Sequence, residues 1–344
     1  MSKKIVFCAD GSWNHPKSPV IVTPADTNVY KLFKTLAVTG TQVTFYDDGV
    51  GADGTPIDRV VDGAIGEGLF QKIKDGYTAI SHFYEKDDQI FIFGFSRGAY
   101  TARSLAGMIA ICGLPTENFD QNLVPIAFRA YREKDKRASL LASLKNYSLY
   151  DAKITMVGVW DTVGALGIPI GFRDIDNAIY GFLDTGLHPD VLAAYHALSI
   201  DEHRCEFKPT LWTSPPAPSQ VVQQVWFAGV HCDVGGGYAE CGLSDITLGW
   251  MLENAIKNGI EVVSNAAAQY KNIDAKHALD QAHESWSPLW GFPERRSVPA
   301  NAVIANSVDV RVSAGIGYHP PNLNFDSSDH LARYSSEVVV SIPV

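Results

Sequence analysis

The feature that most restricts this chain is a junction. The apolar run Gln89 to Phe93 (QIFIF) passes directly into Gly94-Phe95-Ser96-Arg97-Gly98, and a helical pattern over Tyr100 to Ile111 follows. A continuous apolar run of this kind reads as a strand buried on both faces, which requires a sheet covered by helices on each side. A serine between two glycines at a strand-to-helix junction is the G-x-S-x-G pattern of a nucleophile elbow, a sharp turn that projects the hydroxyl from the sheet edge. The pentapeptide alone is a weak signal; the strand before it and the helix after it make it a strong one. The helix start also aims backbone N–H groups at negative charge developing beside the serine.

The rest of the chain repeats the alternation. Lys4 to Ala9 reads as a strand ending at Asp10-Gly11, and Gln42 to Tyr46 as one closing on Asp47-Asp48-Gly49. Ile154 to Trp160 ends in Asp161, and Val221 to Ala228 runs into Gly229-Val230-His231 and a glycine-rich loop. Helical spacing covers Thr27 to Leu36, Gly66 to Glu85 and Ser244 to Asn258. Together these predict an α/β chain with the α/β-hydrolase fold, a mostly parallel central sheet with helices on both faces. A length of 344 residues suits one large domain over 1–344 that carries insertions. Two segments lack clear periodicity: about 169–218, with Phe182, Leu187, Leu192 and a Pro-rich end, and about 277–329, with Trp286, Trp290 and Phe292. They read either as cap-like insertions forming site walls or a lid, or as ordinary surface loops.

A serine hydroxyl becomes a nucleophile only beside a base, and the base needs an orienting carboxylate. In α/β-hydrolases these follow the chain order Ser, Asp or Glu, His. Here Asp161 stands at a strand end 65 residues after Ser96, and His231 stands 70 residues further, just after another. Catalytic groups of parallel sheets gather at the carboxyl ends of the strands, so the three converge. Of the ten histidines only His231 closes an apolar strand and opens a glycine-rich loop; His196 and His203 are second choices. The oxyanion hole takes the Arg97 amide and, from another strand-end loop, that of Gly11, with Asp48-Gly49 as runner-up. Asp10 and Asp233 are candidate supporting residues. Asp233 could orient the base in place of Asp161 or brace its loop. The run Asp201-Glu202-His203-Arg204 reads mainly as structural, and Trp286, Trp290 and Phe292 either line an acyl pocket or pack under a loop.

These residues favour a carboxylic-ester hydrolase working through an acyl-enzyme, without metal or cofactor. A metal-dependent phosphoesterase is the alternative, because Asp10, Asp47, Asp48, Asp161, Asp233 and His231 all sit at strand ends where a divalent cation could gather them. A non-catalytic binding protein on a hydrolase fold is the third reading. A net charge of −10 argues against a nucleic-acid partner. No stretch approaches the ~20 apolar residues of a membrane-spanning helix, and five apolar residues before Asp10 fall short of the ~7–15 of a signal peptide. Five scattered cysteines without a CxxC pair suit free thiols in a reducing compartment. The expectation is a cytoplasmic protein, with export by a signal-less route left open, acting on a small-molecule or lipid ester. Oligomeric state is left open.

The stretches VFCADGSWN, FIFGFSRGAYTAR, VGVWDTVGALG, YHALSIDEHRCEF and VWFAGVHCDVGGGYAECGLSDITLGWM occur in that order, followed more loosely by NSVDVRV and YHPPNL. With these the chain resembles the α/β-hydrolase family that includes the Tle1-like phospholipase effectors of bacterial type VI secretion. The resemblance implies an α/β-hydrolase core, a triad at Ser96, Asp161 and His231, and ester hydrolysis, with lipids or phospholipids as substrates among relatives. Ser12 and the Cys8-Ala9 pair depart from the Phe-Asp-Gly-Thr-Trp-Asn more often found in relatives.

Overall fold

The apolar runs pair as parallel strands. A computed structural model describes residues 2–11, 21–49, 64–116, 119–147, 149–163, 186–326, 331 and 334–340. In chain order the strands are β1 (Lys4–Ala9), β2 (Gln42–Asp47), β3 (Gln89–Phe95), β4 (Leu114–Pro115), β5 (Leu149–Tyr150), β6 (Ile154–Trp160), β7 (Val191–Ser199), β8 (Val221–Phe227), β9 (Val303–Ala305) and β10 (Ser335–Glu337). Among the described residues, eight form one sheet in the order β10-β9-β8-β7-β6-β3-β1-β2. Every pairing in it is parallel, so the fold is α/β, a parallel central sheet with helices on both faces.

Alternation along the strands divides the core. Ile5, Phe7, Ile90 and Ile92 face a cluster with Ile73, Tyr77, Leu105 and Ile109, from helices α1 (Ala64–Phe83) and α2 (Arg97–Cys112). Val6, Cys8, Phe91 and Phe93 face the opposite way, onto Val29 and Leu32 of the helix Asn28–Thr35 and onto Leu248 and Met251 of α4 (Gly242–Lys257). A sheet covered on both faces favours apolar positions on each, hence the apolar runs of β1 and β3. A short helix, α3 (His231–Gly235), follows β8.

Strand β7 departs from the sequence expectation. Residues 191–199 fall inside the segment 169–218 read as an insertion, yet they form a central strand between β6 and β8. VLAAYHALS is rich in alanine, a helix former, and lacks the β-branched run of its neighbours. Its residues are buried on both faces, and pairing with two flanking strands overrides the local preference. Phe182 and the rest of 169–185 lie outside the described residues. The segment 277–329 likewise adds β9 to the sheet and a helix, Asn306–Ser313, so it is not wholly an insertion.

The chain reverses direction across the sheet at β1, which lies between β2 and β3. Such a switch point opens a crevice at the carboxyl ends of the strands. Asp10 directly follows β1 there and Ser96 directly follows β3.

Candidate active site

The turn after β3 is an elbow made possible by its glycines. Ser96 holds φ 58° and ψ −121°, a positive-φ conformation that costs a non-glycine residue about 1–3 kcal/mol. A Cβ on Gly98 would collide with the carbonyl oxygens of Ala9 and Asp10, and one on Gly94 with the carbonyl of Gly98. Helix α2 therefore begins tight against β1, and no side chain fits in between. The Ser96 N–H donates to the Trp160 carbonyl (3.0 Å), tying the elbow to β6. Arg97 is the first residue of α2, so its amide lies at the helix N-terminus beside Ser96.

Three strand ends bring three predicted residues together. Ser96 Oγ lies 2.9 Å from His231 Nε2. His231 Nδ1 lies 2.6 Å from Asp161 Oδ2. All three are buried, Asp161 completely. Asp161 itself has φ 39°, a turn directly after β6. The imidazole is flanked by the rings of Phe95 (4.6 Å between centroids) and Phe207 (4.9 Å). Burial pushes the His231 imidazole below its ordinary value, against the pull of the Asp161 and Glu202 carboxylates. A neutral imidazole near pH 7 can accept a proton from a hydroxyl.

Two groups in this site escaped the sequence reading. Arg296 Nη1 donates to Asp161 Oδ1 (2.6 Å) and Nη2 donates to Oδ2 (2.8 Å). The same two nitrogens donate to the carbonyls of Ser199 (2.9 Å) and Phe207 (2.7 Å). Burial alone would raise the Asp161 carboxyl, but the charge of Arg296 and the bonds from His231 and Arg296 hold it well below the usual carboxylate range. Nothing local in SerTrpSerProLeuTrpGlyPheProGluArgArg marks Arg296, because its partner stands 135 residues earlier. Glu202 belongs to the charged run read as structural, and it lies against the base: the His231 N–H donates to its Oε2 (3.3 Å). Arg204 pairs with both Glu202 oxygens, through Nε (2.9 Å) and Nη2 (2.8 Å). The Arg204 guanidinium lies over the Phe207 ring (3.6 Å to its centroid), and Trp290 packs edge-on against that same ring. Phe292, read as a possible pocket residue, is 93% exposed.

The remaining candidates have other partners. The Gly11 N–H, expected as second oxyanion donor, donates to Asp10 Oδ1 (2.6 Å). Asp10 also accepts from Thr27 Oγ1 (2.5 Å) and Tyr46 Oη (2.7 Å), and burial lifts its carboxyl to about 7 against these bonds. Asp233 accepts from the Val230 and His283 N–H groups (3.0 Å each) and lies 2.6 Å from His283 Nδ1, so it braces the loop and does not touch His231 Nδ1. Asp47 pairs with Lys72. His196 is buried on β7, where its Nε2 accepts the Thr162 N–H (3.1 Å); His203 bonds Asp201 and Glu284. The strand-end carboxylates are thus divided among separate partners. Among the described residues no group of three or more His, Cys, Asp or Glu is placed to hold a metal ion. Next to His231, on the side of Glu202 and Val230, lies an open cavity of about 760 Å³ that His203, His283 and Asn322 also line and that Ser96, Asp161 and His231 do not. All five cysteines are free. No helix among the described residues is long and apolar enough to cross a membrane.

Residues 3–254 match the family described as type VI secretion phospholipase effector Tle1-like, catalytic domain, and the chain belongs to that family. An uncharacterised protein of Saccharomyces cerevisiae, YEL023C, is 30% identical over 241 residues, which are 62% of this chain and 33% of the yeast protein. Among solved structures, an uncharacterised protein from Pseudomonas aeruginosa aligns with TM-score 0.48 and 18% identity over 82% of this chain and 51% of its own. The Tle1 effector bound to the VgrG spike of the type VI secretion system aligns with TM-score 0.41 and 18% identity, over 69% of this chain and 51% of its own. The chain spans about a third of the yeast relative and about half of each structural one.

Proposed function

We propose that this chain is a serine hydrolase that cleaves carboxylic esters through an acyl-enzyme, with lipid esters as the substrate class. The observation that carries the reading is the continuous hydrogen-bonded line from Ser96 Oγ to His231 Nε2 and from Nδ1 to Asp161. His231 takes the Ser96 proton as Oγ attacks the ester carbonyl, then returns it to the departing alcohol. Asp161 holds the imidazole so that Nε2 faces the serine, and it stabilises the imidazolium that forms. The Arg97 amide receives the oxyanion. Gly11 is the second donor only where its N–H leaves Asp10. Water then repeats the sequence against the acyl group and frees Ser96. Membership in a family of phospholipase effectors supports the choice of lipid esters.

We assign the whole chain to one hydrolase unit, with parts of 169–218 and 277–329 forming its walls. Phe207 and Trp290 belong to these segments. Labelling by a fluorophosphonate and hydrolysis of p-nitrophenyl and phospholipid esters, with Ser96→Ala as control, test the proposal. Wild-type labelling that disappears in folded Ser96→Ala is the expected result. Undiminished labelling of that variant, or chelator-sensitive phosphodiester cleavage that persists in it, overturns the assignment.

A further inference from the structure

We propose that Arg296 is a positioning residue for this triad: its guanidinium clamps both oxygens of Asp161 and sets the pH at which His231 becomes a base. The inference rests on the triad reading above and adds a fourth member to it. Arg296 lies outside residues 3–254 that match the family, so the site is completed by chain beyond that span.

An ionised carboxylate offers about four lone-pair directions. In Asp161 all four are taken. Oδ1 accepts from Arg296 Nη1 and from the Ser199 N–H (3.0 Å), and Oδ2 accepts from Arg296 Nη2 and lies against His231 Nδ1. The fork of the guanidinium fixes the carboxylate plane, and the fourth direction points at the imidazole. Arg296 is anchored in turn, since its own carbonyl accepts from Asn322 Nδ2 (3.1 Å), which also donates to the Ile200 carbonyl (3.0 Å).

Charge gives the second half of the inference. Two carboxylates face His231, and each carries its own guanidinium: Asp161 has Arg296, and Glu202 has Arg204. On the imidazole's own helix, Asp233 is held by His283. His196, near Asp161 on β7, is kept uncharged by burial, with its value pushed down to about 3. The imidazole therefore sits among paired charges. A bare Asp161 carboxylate would hold the imidazolium more tightly and delay its deprotonation to higher pH. With Arg296 in place, His231 is free to act as a base at lower pH.

The test compares Arg296→Gln and Arg296→Lys with the wild-type chain. Three quantities are read: the pH profile of kcat/KM on a p-nitrophenyl ester, the titration of the downfield His231 Nδ1 proton by NMR, and the melting temperature. Arg296→Gln should move the ascending limb of the profile and the NMR titration up by roughly one pH unit. Arg296→Lys keeps the charge but not the fork. It should leave the limb in place while lowering kcat by roughly tenfold to a hundredfold. A folded Arg296→Gln with both titrations unmoved overturns the proposal. Should that variant fail to fold, Arg296→Lys decides: an unchanged kcat, or a loss that only tracks the folded fraction, overturns it. A wild-type chain that neither hydrolyses esters nor reacts with fluorophosphonate overturns the triad reading instead. The NMR titration still reads the effect of Arg296 in that case.

Discussion

The ring of Phe95 lies tilted against the imidazole of His231, with 4.6 Å between centroids, so the residue that precedes the elbow serine also backs its partner. Behind Phe95 the space is closed by Gly235 in α3, where a Cβ would overlap the ring. The glycine-rich loop after His231 therefore does more than turn the chain. It lets an aromatic ring fill the gap between two strand ends, and that ring limits where the imidazole can go.

Gly235→Ala is expected to push Phe95 into His231 and shift Nε2 away from Ser96. Overpacking of this kind costs about 1–3 kcal/mol, and a displacement approaching 1 Å costs on the order of a hundredfold in rate. Steady-state kinetics should show kcat falling much more than KM rises, with the melting temperature only moderately lowered. Wild-type kcat in this variant would refute the backing role.

Gly98→Ala should be harsher. The atoms it meets are the backbone oxygens of Ala9 and Asp10, which have no alternative rotamer. Helix α2 must lift from β1 or the elbow must open. A loss of about 2–3 kcal/mol in chemical denaturation is expected, together with loss of fluorophosphonate labelling.

Strain at Ser96 is measurable apart from chemistry. With φ 58° the residue occupies backbone space that glycine enters freely. Ser96→Gly and Ser96→Ala should both be inactive, with the glycine variant more stable by about 1 kcal/mol in urea titration. Equal stabilities would mean that the turn stores no strain.

Acid sensitivity should follow Glu202. Burial would raise this carboxyl, but the bonds and charge of Arg204 bring it down to about 2. Its value in the fold thus lies below that of the unfolded chain. Its contribution to stability is complete above the ordinary 4.5 and is lost as pH falls toward 2. Glu202→Gln, which leaves the partly buried Arg204 guanidinium without its charged partner, should cost about 1–3 kcal/mol near neutrality. The gap in melting temperature between this variant and wild type should narrow as pH drops from 5 to 3.

Parts of this molecule are written locally. The strand QIFIF, the glycines around Ser96 and the capped helices state their conformations through periodicity, turn chemistry and steric need, all of which act over a few residues. The order Ser96, Asp161, His231 at strand ends was legible for the same reason, since strand ends can be recognised one at a time and a parallel sheet brings them to one edge. What the tertiary structure decided is everything that depends on a distant neighbour. VLAAYHALS becomes β7 because β6 and β8 offer hydrogen bonds on both sides, against its own helical leaning. Gly11 looked like a free oxyanion donor until the fold placed Thr27 and Tyr46 around Asp10 and left the Asp10 carboxylate facing the Gly11 amide. Asp233, two residues from His231, finds His283, while Arg296 crosses 135 positions to reach Asp161. Such pairings leave no trace in local sequence, because a buried charge selects whichever partner the packing brings within hydrogen-bond reach.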